Sequence, residues 1–116
     1  MAAGARPCLR GAAAGLVLVT GICAASAEDM PVFRLEFDDG AIAPLRLSVP
    51  AGRRFKIELH NVGATPVEFE SHDLHKEKVL APESSSFIVI RRLAAGEYVF
   101  FDDFHLDAPR AVLIAE

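Results

Sequence analysis

The side chains best suited to chemistry in this chain are carboxylates and imidazoles that occur in two short groups. The first group alternates with apolar residues in the segment 67–72, and the second directly follows the aromatic run 98–101. Carboxylate and imidazole ligands together suit Cu(II), iron, Mn or Zn. The six candidate metal ligands are Glu68, Glu70, His72, Asp102, Asp103 and His105. They form a metal site only if the fold brings the two groups together.

Each candidate ligand also has an ordinary structural interpretation. The acids of the first group alternate with apolar residues, as the solvent side of a half-buried strand does. Asp102 and Asp103 follow a strand-like segment, where Asp favours turns. Both histidines of the set would also suit an exposed loop. The residue types alone leave the two interpretations open.

The N-terminal residues have the three-part pattern of a secretory signal peptide. Arg6 and Arg10 precede an apolar run over residues 11–22. Ala25-Ser26-Ala27 after the run is a small-residue cleavage signal. This predicts a signal peptide over residues 1–27 and one domain over residues 28–116. The run is shorter than the roughly 20 residues that span a bilayer. We therefore expect a periplasmic protein without a membrane anchor after processing.

Cysteine usage and charge limit the classes of function. Cys8 and Cys23 both lie in the predicted signal peptide, so the domain has neither a disulfide nor a thiolate ligand. The formal net charge is −4, and all 16 acidic residues follow residue 27. Nucleic-acid binding needs a basic surface, so we predict no nucleic-acid partner. An acidic domain suits cations or a basic partner.

Alternating apolar residues between Pro- and Gly-containing turns predict an all-β protein. The segments expected to be strands are 32–37, 45–49, 55–61, 67–70, 78–81, 87–91, 97–101 and 111–114. Residues 71–77 are expected to form either one helical turn or a polar loop, and residues 82–85 a turn. No apolar pattern with helical period runs over ten or more residues. The sequence therefore predicts a Greek-key β-sandwich of about seven or eight strands.

Several motifs together resemble a cupredoxin-like domain. They are Val49-Pro50-Ala51-Gly52, Asn61-x-Gly63 and Gly96-Glu97-Tyr98-Val99-Phe100, each beside an expected strand. The segments PVEFESHDLHKEKVLAP and GEYVFFDDFH are similar to small secreted cupredoxin-like proteins of the EfeO type. That resemblance implies a role in periplasmic iron uptake, beside an iron permease and a dimetal periplasmic iron-binding partner. It also implies a copper ion (Cu2+), an iron ion, or both.

The chain departs from the blue-copper pattern at three of four ligand positions. By the resemblance, Asp102 stands where a blue-copper protein has its Cys, Val67 where it has its upstream His, and Arg110 where it has its axial Met. Only His105 keeps its ligand position. Without the thiolate, we expect no type 1 blue copper site.

Three functions agree with these observations. The first is a periplasmic protein that binds copper or iron during iron uptake and assists Fe(II) oxidation before permease transport. The second is a ferroxidase enzyme, and the third is a metal-free β-sandwich that serves as an interaction module. One copper ion cannot reduce O₂ by four electrons by itself, so metal binding is favoured over independent catalysis.

Overall fold

A computed structural model describes residue 4, residues 14–17 and residues 30–116. Most of the predicted signal peptide, including its cleavage signal at residues 25–27, lies outside the described residues. In the parts that are described, no helix has the length and apolar character needed to cross a membrane.

The described part of the chain contains nine β-strands and no helix, which confirms the predicted all-β fold. The strands are β1 (Val32–Asp38), β2 (Ala41–Ala43), β3 (Arg46–Val49), β4 (Phe55–Asn61), β5 (Val67–Ser71), β6 (Lys76–Leu80), β7 (Ser84–Ile90), β8 (Gly96–Asp102) and β9 (Ala111–Ala115). Eight of them correspond to the segments expected from the sequence. The prediction of seven or eight strands omitted β2.

The omitted strand β2 has only three residues, too few to show an alternating pattern. It pairs antiparallel with β1 through a tight turn. Asp39 and Gly40 have φ angles of 47° and 98° in this turn, a left-handed conformation that Gly and Asp tolerate best. The turn is important for the site because the Asp39 side chain reaches the neighbouring loops.

Two expected strand boundaries differ in the structure. Residues 72–75 form a turn, which agrees with the polar loop that was one of the two expectations, but β6 begins directly after it, two residues earlier than expected. Strand β7 begins at Ser84, inside the segment expected to be a turn. Its first residues pair with the end of β4, Asn61 opposite Ser84 and His60 opposite Ser85. Pairing with β4 therefore extends the strand into a polar segment with little intrinsic strand preference.

The strands form two packed sheets. One has the order β2-β1-β4-β7 and the other β3-β9-β8-β5-β6. Most neighbours are antiparallel, whereas β1 with β4 and β3 with β9 are parallel. The chain passes from one sheet to the other between these strands, which is how a sandwich obtains parallel neighbours without crossover helices. Because β5 lies between β6 and β8, the two groups of candidate ligands occupy adjacent strands.

Aromatic and aliphatic side chains from both sheets fill the space between them. Strand β4 alternates buried and half-buried residues along its whole length, as the period of two requires. Phe69 of β5 and Phe100 of β8 are fully buried, and their ring centroids lie 5.2 Å apart. These two rings fix the spacing of the strands that carry the candidate ligands.

We expect Phe69→Ala to lower the free energy of unfolding by about 3–5 kcal/mol, since it leaves a cavity beside Phe100. The control is Phe87→Ala, because the Phe87 side chain is exposed and contacts Lys56 Nζ on the outer sheet surface. That change should cost less than about 1 kcal/mol. Urea unfolding measures both, and equal losses would contradict the described core.

Candidate functional site

The alternation of β5 and β8 divides the six candidate ligands into two sets. Glu68 and Glu70 lie on the outer surface of the sheet, because their neighbours Val67, Phe69 and Ser71 are buried in the core. The positions of the other four candidates follow from the alternation of residues along β8 and from the loops that carry them. The outer set is Glu68, Glu70, His72 and Asp103, and the inner set is Asp102 and His105. The structure therefore does not bring all six residues around one point.

Three glutamates form what we call the acidic face: Glu68, Glu70 and Glu77. One carboxylate oxygen from each lies within 4.8 Å of the others. Glu77 is on β6, directly opposite Glu70 in the β5–β6 pairing. The sequence pattern did not single out Glu77, but it could be found by pairing the two segments across the turn at residues 72–75. Such a group of oxygen atoms is a candidate cation site.

Like charges act on the carboxylate of Glu68. Burial raises the pKa of Glu68 above its usual value, and the neighbouring carboxylates of Asp103, Glu70 and Glu77 raise that pKa further. Asp103 is exposed, and its amide donates to the Glu68 carbonyl at 2.9 Å. The folded chain thus keeps negative charges close together at some electrostatic cost.

His72 extends the acidic face with an imidazole. Its Nδ1 lies 3.7 Å from Glu70 Oε1, and its ring centroid lies 5.6 Å from that of Phe101. Arg110 is also nearby, with its guanidinium carbon 4.5 Å from the Phe101 ring centroid. Phe101 thus packs beside both His72 and Arg110. His75 and Lys76 join His72, Glu70 and Glu77 in lining one pocket.

The turn that carries His72 is tied to the neighbouring strand β8. Ser71 Oγ donates to the Val99 carbonyl at 2.7 Å and accepts the Leu74 amide at 3.2 Å. The Val99 amide in turn donates to Asp73 Oδ2 at 2.8 Å. Ser71 is fully buried, and its two hydrogen bonds offset the cost of removing its hydroxyl from water. This arrangement holds His72 next to Glu70.

The inner set belongs to a second structure, the loop network, which consists of Asp39, Thr65, Asp102 and His105. The Asp102 side chain is completely buried. Its Oδ1 accepts the amides of Glu68 at 3.1 Å and Phe104 at 3.0 Å, and its Oδ2 lies 2.6 Å from His105 Nδ1. Buried carboxylates need such partners, and Asp102 has them on both oxygens.

The loop network continues from His105 to the β1–β2 turn. His105 Nε2 lies 3.1 Å from Thr65 Oγ1, and Thr65 Oγ1 donates to Asp39 Oδ1 at 2.7 Å. The same Asp39 oxygen accepts the amides of Ala64 at 3.1 Å and Thr65 at 3.0 Å. Hydrogen bonding from Thr65 lowers the pKa of Asp39, with smaller contributions from the Ala64 amide and from His105. Asp39 and Thr65 were not among the candidates from the sequence.

Asn61 and Gly63 shape the loop that presents Thr65. Asn61 Nδ2 donates to the carbonyls of Thr65 at 2.9 Å and Ala81 at 3.0 Å, while its Oδ1 accepts the Gly63 amide at 3.1 Å. A Cβ atom on Gly63 would lie 2.7 Å from the Asp39 nitrogen and 2.8 Å from Asp39 Oδ1. The Asn61-x-Gly63 motif therefore has a packing role in the loop network.

The side chains do not fit a type 1 copper site. Val67 is buried and offers no ligand atom, and Arg110 lies over Phe101. Asp102 and His105 are hydrogen-bonded to each other. The acidic face offers three carboxylates, with the His72 imidazole beside Glu70, and these are ligand types that Cu(II), iron, Mn and Zn accept.

Comparisons with known proteins agree with the observed fold. The family described as "Cupredoxin-like domain" matches residues 11–115. An uncharacterized protein of Rickettsia prowazekii (strain Madrid E), RP394, is 36% identical over 81 residues. The match covers 70% of this chain and 65% of that relative.

Solved structures with the same fold include an auracyanin, a purple cupredoxin and an amicyanin. Reduced auracyanin of Roseiflexus castenholzii is 17% identical with a TM-score of 0.63, over 73% of this chain and 96% of its own. A purple cupredoxin of Nitrosopumilus maritimus is 16% identical with a TM-score of 0.58, over 72% and 99%. Amicyanin of Paracoccus versutus is 14% identical with a TM-score of 0.57, over 77% and 83%. At these identities the similarity concerns the fold.

The raised pKa of Glu68 predicts how stability depends on pH. A raised acid pKa means that the folded state is favoured below the ordinary value of 4.5 and loses stability as pH rises through the folded value. Glu68→Gln should therefore raise the free energy of unfolding by about 0.2–1 kcal/mol near neutral pH. The gain should disappear on acidification to below the ordinary pKa. Urea unfolding across pH measures it, and Glu97→Gln, an exposed acid elsewhere, is the matched control.

Gly63→Ala should lower the free energy of unfolding by about 1–3 kcal/mol, because the added Cβ overlaps the Asp39 backbone. Ala64→Ser, an exposed change in the same loop, should alter it by less than about 0.5 kcal/mol. Thermal or urea unfolding compares the two. A neutral Gly63→Ala would show that the loop network tolerates displacement.

Proposed function

This chain belongs to the cupredoxin-like domain family, and we propose that it is an exported protein that binds copper or iron on its acidic face. The β-sandwich of this family is the scaffold for such a site. Val67, Asp102 and Arg110 depart from the blue-copper ligand pattern, which argues against blue-copper electron transfer. Metal binding at a face built from β5 and β6 is the function that the geometry favours.

One observation carries the proposal: oxygen atoms of Glu68, Glu70 and Glu77 lie within 4.8 Å of one another, with His72 beside Glu70. Carboxylates so close repel one another in the absence of a cation. A bound ion would remove this repulsion and gain oxygen ligands together with an imidazole. Copper, when bound, would supply one-electron redox chemistry, and iron would be the cargo.

The cellular role we propose is periplasmic iron uptake, with an iron permease and a periplasmic iron-binding protein as partners. The similarity of segments 66–82 and 96–105 to EfeO-type proteins supports it. Oxidation of Fe(II) to Fe(III) releases one electron, and a single copper ion cannot deliver four electrons to O₂. We therefore propose that the protein binds metal and assists oxidation, with another protein taking the electrons.

Independent ferroxidase activity and a metal-free interaction module are the alternatives. A metal-free module is favoured by one observation: in the described part of the chain, every buried side-chain nitrogen or oxygen has a hydrogen-bond partner. The loop network therefore needs no ion to satisfy it. The acidic face is partly exposed and is not explained by that observation.

Isothermal titration with Cu(II) and with Fe(III), on the chain from residue 28 onward, tests the proposal. Glu70→Gln should weaken binding by about tenfold or more, since it removes the ligand that lies beside both Glu77 and His72. Glu97→Gln is the control, because it removes one negative charge from an exposed side chain of β8 that is paired with Arg46. This variant should bind metal as tightly as the parent protein does. Equal affinities for all three proteins would refute the site at the acidic face.

The same proteins distinguish a binding protein from an enzyme. Fe(II) loss is followed in air with and without one equivalent of Cu(II). We expect no multiple turnover by the isolated protein. Sustained, Cu(II)-dependent turnover that is lost in Glu70→Gln would establish a ferroxidase instead.

A further inference from the structure

The loop network joins four separate segments at one end of the sandwich. They are the β1–β2 turn with Asp39, the β4–β5 loop with Thr65, the first residues of β5, and the β8–β9 loop with His105. His105 is the only blue-copper ligand position that this sequence keeps, so its bonding state decides whether that end of the fold can hold a metal.

The Thr65 hydroxyl connects His105 to the β1–β2 turn. Thr65 Oγ1 donates to Asp39 Oδ1, 2.7 Å away. The same oxygen lies 3.1 Å from His105 Nε2, within hydrogen-bond distance. This ring nitrogen is therefore engaged by a side chain of the protein.

The other ring nitrogen is held by Asp102. Asp102 Oδ1 accepts two backbone amides, and its Oδ2 lies 2.6 Å from His105 Nδ1. Both ring nitrogens of His105 therefore have hydrogen-bond partners within the protein. The imidazole lies between two carboxylates, with Asp102 in direct contact and Asp39 reached through Thr65.

Packing holds the ring in this orientation. A Cβ atom added to Gly40 would lie 3.2 Å from His105 Cβ and 3.4 Å from the ring carbons, so the backbone of the β1–β2 turn lies against the imidazole. The His105 amide donates to the Asp102 carbonyl at 3.1 Å, and the Ala108 amide donates to the His105 carbonyl at 3.0 Å. The β8–β9 loop is thus a tight turn around His105.

We infer that the loop network is a metal-free link in which the two ring nitrogens of His105 are taken up by Asp102 and Thr65, so that neither serves as a metal ligand. Asp102 and its partners fasten the four segments that meet at this end of the fold. The inference concerns the loop network only, and it can be tested independently of metal binding at the acidic face.

Nitrogen NMR of imidazole-labelled protein near neutral pH tests this directly. Addition of up to one equivalent of Zn(II), a diamagnetic ion, should leave both His105 nitrogens unshifted. A Zn(II)-dependent shift of either one would overturn the inference.

Variants of Thr65 supply a matched pair. Thr65→Val removes the hydroxyl while keeping the side-chain shape, so Nε2 loses its hydrogen-bond partner and its nitrogen chemical shift should move. Thr65→Ser keeps the hydroxyl and should preserve the parent shift. Equal Nε2 shifts in the two variants would show that Thr65 is not the partner.

The Zn(II) titration also separates this inference from the proposed function. A shift of the His72 nitrogens alone supports both. If neither histidine shifts and no Zn(II) binds, the acidic-face proposal fails while the metal-free link is supported. If the His105 nitrogens shift, the metal-free link fails whatever the response of His72.

Discussion

The buried carboxylate of Asp102 is the constraint on which the functional end of this domain depends. A charge removed from water must be matched by hydrogen bonds, and Asp102 obtains them from two backbone amides and one imidazole. The partners belong to two places in the chain: Glu68 to the start of β5, and Phe104 and His105 to the β8–β9 loop. Satisfying this one side chain therefore also sets the positions of those segments. The geometry of the acidic face depends on these segments as well. Glu68 has its amide hydrogen-bonded to Asp102, and its side chain is one of the three clustered carboxylates.

The inner and outer sets contain the same residue types but have opposite electrostatic character. In the inner set, carboxylates are matched by N–H and O–H donors, and His105 lies between two of them. In the outer set, carboxylates face other carboxylates, and the pKa of Glu68 is raised as a result. A cation would add little to the first set and much to the second. In the sequence these residue types suggest one metal site. In the structure, the alternation of β5 and β8 separates them into a hydrogen-bonded inner set and an outer set of neighbouring carboxylates.

Local patterns predicted most of the fold, because alternation and Pro/Gly turns are properties of neighbouring residues. They did not predict β2, which is too short to alternate, or the start of β7, which depends on pairing with β4. For the site, the sequence indicated Glu68 and Glu70 on one strand and His72 in the segment that follows it. It did not single out Glu77, whose place opposite Glu70 depends on the register of β6. Nor could it indicate Asp39 and Thr65, which are 26 residues apart and meet only because two loops end at the same side of the sandwich.

Asp102 needs no ion to balance it where it lies. Position 102 is surrounded by the amide protons of Glu68 and Phe104 and by the imidazole of His105, all of which favour an anion there. A carboxylate meets that requirement with two oxygens, because it accepts the backbone amides with one and contacts the imidazole with the other. These hydrogen bonds hold the loops together within the protein itself. The carboxylates of the acidic face lie on another surface of the same fold, where they face one another.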